Sequence, residues 1–241
     1  MKFRNLFILS LSLLVVLTSC TKDELAIDPS ANVTTEERSV SDFNKIDIEG
    51  PFAVFITIGT TESVEIEANE NLQQYIKTYK AGDKLVVDFE DDISISGNTT
   101  LKVYVTLTNL IEIEGEGATV IHLQSALTAT NFKLDLSGAS VFNGEINVEN
   151  FDADLTGASV MNLDGHADDL ELDASGASVI ADFDFDVDNL DADLSGASVL
   201  TMTVNTQIDL VASGASFLYW KGGAVVNSIN LSGASKIINE N

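Results

Sequence analysis

The sequence predicts an all-β fold, a right-handed parallel β-helix (β-solenoid) with about 19 residues per turn. Three observations carry that prediction. A four-residue motif returns seven times, first as the degenerate Gly115-Glu116-Gly117-Ala118-Thr119. Ser137-Gly138-Ala139-Ser140, Thr156-Gly157-Ala158-Ser159, Ser175-Gly176-Ala177-Ser178, Ser195-Gly196-Ala197-Ser198, Ser213-Gly214-Ala215-Ser216 and Ser232-Gly233-Ala234-Ser235 follow. The central glycines are 21, 19, 19, 20, 18 and 19 residues apart. A fixed period near twenty means one unit stacked on itself, because a single unit cannot bury its own apolar face. The residues before each glycine alternate apolar and polar with period two, as in a strand with one dry and one wet face. Finally, the chain has only two prolines, Pro29 and Pro51, and neither lies in the repeat.

From the amino end, Lys2 and Arg4 precede an apolar run from Leu6 to Leu17 and then Thr18-Ser19-Cys20. That run is too short to span a bilayer but suits a signal peptide. Small residues before the chain's single cysteine resemble a bacterial lipobox, so residues 1–19 read as a lipoprotein signal peptide and Cys20 as the lipidated new terminus. With one cysteine no disulfide can form within the monomer. Residues 20–37 read as a flexible tether, and Lys22-Asp23-Glu24 looks like a signal that exports lipoproteins to the cell surface, giving an outer-membrane, surface-facing address.

Residues 38–110 keep the alternation without the glycine motif. Val54-Phe55-Ile56-Thr57-Ile58, Ser63-Val64-Glu65-Ile66-Glu67, Lys84-Leu85-Val86-Val87-Asp88-Phe89 and Leu101-Lys102-Val103-Tyr104-Val105 read as strands. Glu70 to Lys80 reads as a short helix or a strand. This half is expected to form irregular β rungs capping the stack.

Residues 111–241 form the regular β-helix. Four residues before each glycine stand Ile113, Leu134, Ala153, Leu172, Ala192, Leu210 and Ile229, an inward column. Three before stand Glu114, Asp135, Asp154, Asp173, Asp193, Val211 and Asn230; five before stand Glu112, Lys133, Asp152, Glu171, Asp191, Asp209 and Ser228. Glycine supplies backbone angles other residues avoid, and the alanine beside it suggests a place too tight for a longer side chain. The flanking hydroxyls can bond to backbone or form a ladder between turns. Each turn is expected to hold two or three short strands, and seven turns at ~4.8 Å give a rod roughly 34 Å long.

Arg38-Ser39-Val40-Ser41-Asp42-Phe43-Asn44-Lys45-Ile46-Asp47-Ile48-Glu49-Gly50-Pro51-Phe52-Ala53-Val54-Phe55-Ile56, then Ser63-Val64-Glu65-Ile66-Glu67-Ala68-Asn69-Glu70-Asn71-Leu72, then the repeated Ser-Gly-Ala-Ser resemble the head GIN domain family. Its members are adhesins of autotransporter type, commonly lipoproteins of Bacteroidetes. The resemblance covers roughly residues 38–239. It implies a β-helix on the cell surface and no catalytic residues.

Formal charge is −26, and loss of residues 1–19 removes Lys2 and Arg4 and makes it more negative. Such a surface repels nucleic acid and anionic lipid headgroups, so no nucleic-acid partner is expected. In register, stacked carboxylates would lie about 5 Å apart, each ionised pair repelling by ~1 kcal/mol in water or ~3 at a protein surface. Ca²⁺ would relieve that in an oxygen-only site, with Asp135, Asp154, Asp173 and Asp193 as ligands, or Asp182, Asp184 and Asp186 in the densest acidic segment. Water, salt and raised pKa values are the alternative. No cofactor is otherwise expected.

Catalysis is disfavoured. Acids recur at every turn as a surface ladder does, although paired carboxylates near 5 Å would suit a retaining glycosidase. No Gly-x-Ser-x-Gly elbow exists, and His122 and His166 fall at different repeat positions. Phe217, Tyr219 and Trp220 gather near the carboxyl end, where they read as a cap on the stack or a patch for sugar rings or a partner protein. The expected function is a surface-anchored binding module with a protein or glycan partner. The alternatives are a structural, cation-holding envelope protein or, last, a glycan-active enzyme.

Overall fold

The computed structural model describes residues 25–90 and 92–241. Its strands are β1 (Leu25–Ile27), β2 (Val33–Glu37), β3 (Lys45–Glu49), β4 (Ala53–Ile58), β5 (Ser63–Asn69), β6 (Ile76–Ala81), β7 (Lys84–Phe89), β8 (Ile93–Ile95) and β9 (Leu101–Leu107). They continue as β10 (Glu112–Glu116), β11 (Val120–Leu123), β12 (Leu127–Leu136), β13 (Val141–Leu155), β14 (Val160–Ala174), β15 (Val179–Leu194), β16 (Val199–Ala212), β17 (Phe217–Lys221), β18 (Val225–Leu231) and β19 (Lys236–Asn239). Cys20, the signal segment and residues up to 24 lie outside the described residues.

The fold is a β-solenoid of about 7 turns with ~19 residues per turn. From β10 to β19 the described pairings are parallel, each strand hydrogen-bonded to the strand one turn away. Instead of two or three short strands, each central turn is one long strand of 14 to 16 residues that bends and then breaks at the glycine corner. Bends fall where the pairing skips a residue, at Thr130, Glu149, Asp168 and Asp188.

Two inward columns fill the core by complementary volumes. Leu134 and Leu136 are followed by Ala153 and Leu155, Leu172 and Ala174, Ala192 and Leu194, then Leu210 and Ala212, all at most 2% exposed. From the second of these turns upward, a large residue sits beside a small one and the two exchange places at the next level, an alternation that suits the close packing of protein interiors. Phe132 and Phe151 stack at 5.5 Å in a third column.

The corner explains the motif. Gly138, Gly157, Gly176, Gly196 and Gly214 have φ between +72° and +77°. A Cβ on Gly176 would lie 2.3 Å from the carbonyl oxygen of Gly157, the oxygen that accepts the Ala177 N–H at 2.7 Å. Close approach is thus at glycine, not at alanine as the sequence suggested: Ala139, Ala158, Ala177 and Ala197 are exposed and point away from the contact. In the motifs below the last, the second hydroxyl turns inward. Ser140, Ser159, Ser178, Ser198 and Ser216 are fully buried, and each Oγ donates to the carbonyl of the motif's first residue at 2.8–2.9 Å.

Residues 38–110 depart from a simple parallel stack. β3 and β4 form a turn beneath β10 and β11, with Gly50 (φ +121°) at its corner and Thr119 Oγ1 donating to the Gly50 carbonyl at 2.6 Å. β7 and β9 form the next layer down. β5 pairs antiparallel to β9, β2 to β5, and β6 to β7. Glu70 to Lys80 contains both alternatives the sequence left open: a 3-10 turn at Gln73–Tyr75 and then β6.

The tether expected over 20–37 is not a tether from Leu25 onward. β1 pairs with β8, and β2 pairs with β5. Side-chain amides hold the intervening chain: Asn69 Nδ2 donates to the Ser30 carbonyl at 2.8 Å, Asn71 Nδ2 to the Asp28 carbonyl at 2.9 Å, and Gln73 Nε2 to the Thr34 carbonyl at 2.9 Å. Polar composition reads as linker until such distant amides are brought against it.

Candidate binding surface

The acid columns stack in register. Asp135 lies opposite Asp154, Asp154 opposite Asp173, and Asp173 opposite Asp193. The column begins lower than the repeat does, since Glu114 pairs with both Asp135 and Asp47. Six carboxylates therefore climb one face on consecutive turns, and Val211 ends the row. The second column runs Lys84, Lys45, Glu112, Lys133, Asp152, Glu171, Asp191 and Asp209.

Three lysines offset the lower half. Lys84 Nζ lies 2.6 Å from Glu114 and 3.5 Å from Glu112, and Lys45 Nζ lies 3.3 Å from Glu112. Lys133 Nζ reaches Asp154 at 3.4 Å, Asp135 at 3.5 Å and Asp152 at 4.0 Å. Above Lys133 neither column contains a basic residue. Burial, with Glu114 beside it, pushes the Asp47 carboxyl up to about 6. Asp135 is likewise pushed up to about 6 by burial and by its hydrogen bond with Asp154. Burial and then the charges of Asp154 and Asp193 raise Asp173. Alternate rungs thus hold protons more tightly than free carboxylates, as a repulsive ladder requires.

Between these rungs lies an open trough of about 390 Å³, lined by Asp47, Glu114, Asp135 and Asp154, with Glu49 and Glu116 at its rim. Its chemistry favours cationic groups or divalent metal. The structure brings Asp135, Asp154, Asp173 and Asp193 together in one column. Asp184 and Asp186 lie apart from them, on a stretch of β15 where Asp182–Phe185 bulge opposite the single residue Met202. Asp186 pairs with His166 rather than with the ladder. The side chain of Asp182 is outside what the structure describes.

The aromatic group does not form one patch. Strand alternation sends Trp220 inward, where it is 6% exposed, while Phe217 and Tyr219 face outward with rings stacked at 6.1 Å. Trp220 is a core residue, which corrects its assignment to a ligand-binding site. Phe217 and Tyr219 remain available on the surface. Both histidines have partners: His166 meets Asp186, and His122 stacks on Phe55, and Phe55 on Tyr104, at 5.3 and 5.2 Å.

Residues 42–224 match the model of the family described as "putative auto-transporter adhesin, head GIN domain". The chain belongs to that family. Solved structures repeat its fold. A crystal structure titled a putative adhesin from Bacteroides fragilis aligns with TM-score 0.80 at 21% identity, covering 88% of this chain and 99% of that one. A putative adhesin from Parabacteroides merdae aligns with TM-score 0.71 at 19% identity, covering 90% and 99%. A protein titled a putative lipid binding protein, from Parabacteroides distasonis, aligns with TM-score 0.74 at 16% identity, covering 90% and 100%. No curated protein matches the chain in sequence.

These solved structures share the solenoid, and on it this chain carries the acid ladder. One member of the ladder escaped the sequence reading. Asp47 stands three residues before Gly50, with Ile46 and Ile48 four and two before it, the same spacing as in the repeats. Its motif lies 67 residues before Gly117, so the period hides it. Asp186 was read as one of a run of acids, and its histidine partner is visible only once two turns are stacked.

Proposed function

We propose that the protein is a lipid-anchored binding module of the outer membrane, exposed on the cell surface, which meets a protein or glycan partner along its acidic face without catalysis. The observation that carries this reading is the unbroken in-register column from Asp47 through Asp193 on consecutive turns. An extended, regularly spaced row of like charge suits a large partner with spaced cationic groups, and binding through it is screened by salt. Family membership supports a surface binding role, and the lipobox at Cys20 supports the anchor. Buried motif hydroxyls weigh against a serine nucleophile.

The test uses cells displaying the full chain, over immobilised matrix proteins and glycans at low and high salt. Salt-sensitive adhesion is expected, lost when Asp154, Asp173 and Asp193 are all changed to Asn. Adhesion indifferent to those three substitutions would overturn the reading. Labelled fatty acid should enter the wild-type protein and not Cys20→Ser; equal labelling removes the anchor from the proposal.

A second reading, a cation-holding envelope protein, is favoured by the upper ladder, where Asp173 and Asp193 have no basic residue in their columns. Ca²⁺ held there by carboxylate oxygens would replace the missing lysines. Unfolding in EDTA and in millimolar Ca²⁺ at matched ionic strength decides it: a Ca²⁺-specific rise in Tm supports the reading, and equal curves remove it.

A further inference from the structure

We propose that His166, Asp168 and Asp188 form a binding site for a zinc-class transition-metal cation, which clips two adjacent turns of the solenoid together. His166 and Asp168 lie on β14 and Asp188 lies one turn away on β15. Asp168 and Asp188 occupy the bend where pairing is skipped in both strands, so their side chains leave the flat ladder and turn toward the imidazole. One donor atom from each of the three residues falls within 4.8 Å of the others. Zinc-to-ligand bonds of about 2.0–2.1 Å set the donors of a tetrahedral site roughly 3.4 Å apart. Small side-chain rotations close that difference, and both His166 and Asp168 have solvent on one side in which to make them.

A group outside the ligand set prepares the imidazole. Asp186 Oδ2 lies 2.7 Å from His166 Nδ1 and is itself held by Asn205 Nδ2 at 3.0 Å, from the following turn. In the metal-free chain Nε2 shares a proton with Asp168 Oδ1 at 3.1 Å; a bound cation takes that proton's place between them, while Asp186 keeps the proton on Nδ1. Metal-bound histidines are oriented in this way by a carboxylate on the other ring nitrogen. An imidazole with two carboxylates suits Zn²⁺, Ni²⁺ or Cu²⁺, whereas the oxygen-only ladder suits Ca²⁺, so the two surfaces select different ions. Three protein ligands leave a coordination position open to water or to a donor from a partner.

The test titrates the purified full chain with Zn²⁺ in excess millimolar Ca²⁺, followed by calorimetry, while ¹⁵N-imidazole spectra report the ring nitrogens. The chain has only two histidines, so the His122→Gln spectrum, which keeps the His166 signals alone, assigns both. One Zn²⁺ per chain is expected, with affinity reduced ~10-fold or more in His166→Gln and in Asp188→Asn, and unchanged in His122→Gln. His166 Nε2 should shift on binding and the His122 nitrogens should not. Absence of binding up to sub-millimolar Zn²⁺, displacement by Ca²⁺, or an unmoved His166 resonance overturns the proposal. The spectral readout uses the wild-type chain, so a variant that fails to fold does not shield the idea.

Discussion

Gly176→Ala tests the corner that repeats through the molecule. Two effects add at this position. Alanine at φ +76° pays about 1–2 kcal/mol for left-handed backbone. Its Cβ would also stand 2.3 Å from the Gly157 oxygen, which must move and weaken its bond from Ala177 N–H, a loss of about 0.5–1.5 kcal/mol or more if the carbonyl stays buried. Lower entropy of the unfolded alanine chain returns roughly 0.4–1 kcal/mol. The net loss is about 2 kcal/mol, a large share of a typical domain's stability. Gly82→Ala separates the two contributions. Gly82 has φ +69° in the β6–β7 hairpin, but a Cβ there meets nothing within 4 Å, so about 0.5–1 kcal/mol is expected. Urea unfolding followed by circular dichroism and by fluorescence of the buried Trp220 gives both values. Equal destabilisation by the two substitutions would refute the claim that turn-to-turn contact, and not φ alone, demands glycine.

The remaining predictions concern the ladder and the core. Because Asp47 and Asp135 titrate near 6 when folded and lower when unfolded, the folded chain binds more protons between those values, and their contribution is full below the unfolded pKa and lost as pH rises through about 6. Asp135→Asn should flatten that part of the Tm–pH profile between pH about 4 and 6; an unchanged slope would contradict the assignment. Asp173→Asn removes repulsion from Asp154 and Asp193 and should raise Tm near neutral pH at low salt, with the gain shrinking in high salt. Trp220→Ala should cost about 3–5 kcal/mol in chemical denaturation, as truncation of a buried aromatic does, while Tyr219→Ala costs far less.

Local pattern made the repeats legible. Period-two alternation fixes which side chains point inward, and a glycine every nineteen or so residues fixes where the chain turns, so the columns Asp135, Asp154, Asp173 and Asp193 could be aligned from spacing alone and lie in that register. The same alternation, applied to Phe217 through Trp220, already implied that neighbouring aromatics face opposite ways. Contacts between residues far apart in sequence were not legible, because nothing local encodes them. Asp47 joins the ladder across an excursion of antiparallel strands, Asn69, Asn71 and Gln73 capture a polar segment some forty residues earlier, and Asp186 comes opposite His166 just past a register shift between β14 and β15. Periodicity determined the solenoid and its charged face, since each turn repeats the same local preferences. Tertiary structure alone decided how the irregular end closes and which acid meets which base, since those pairings depend on how many residues each excursion inserts before the chain returns to the stack.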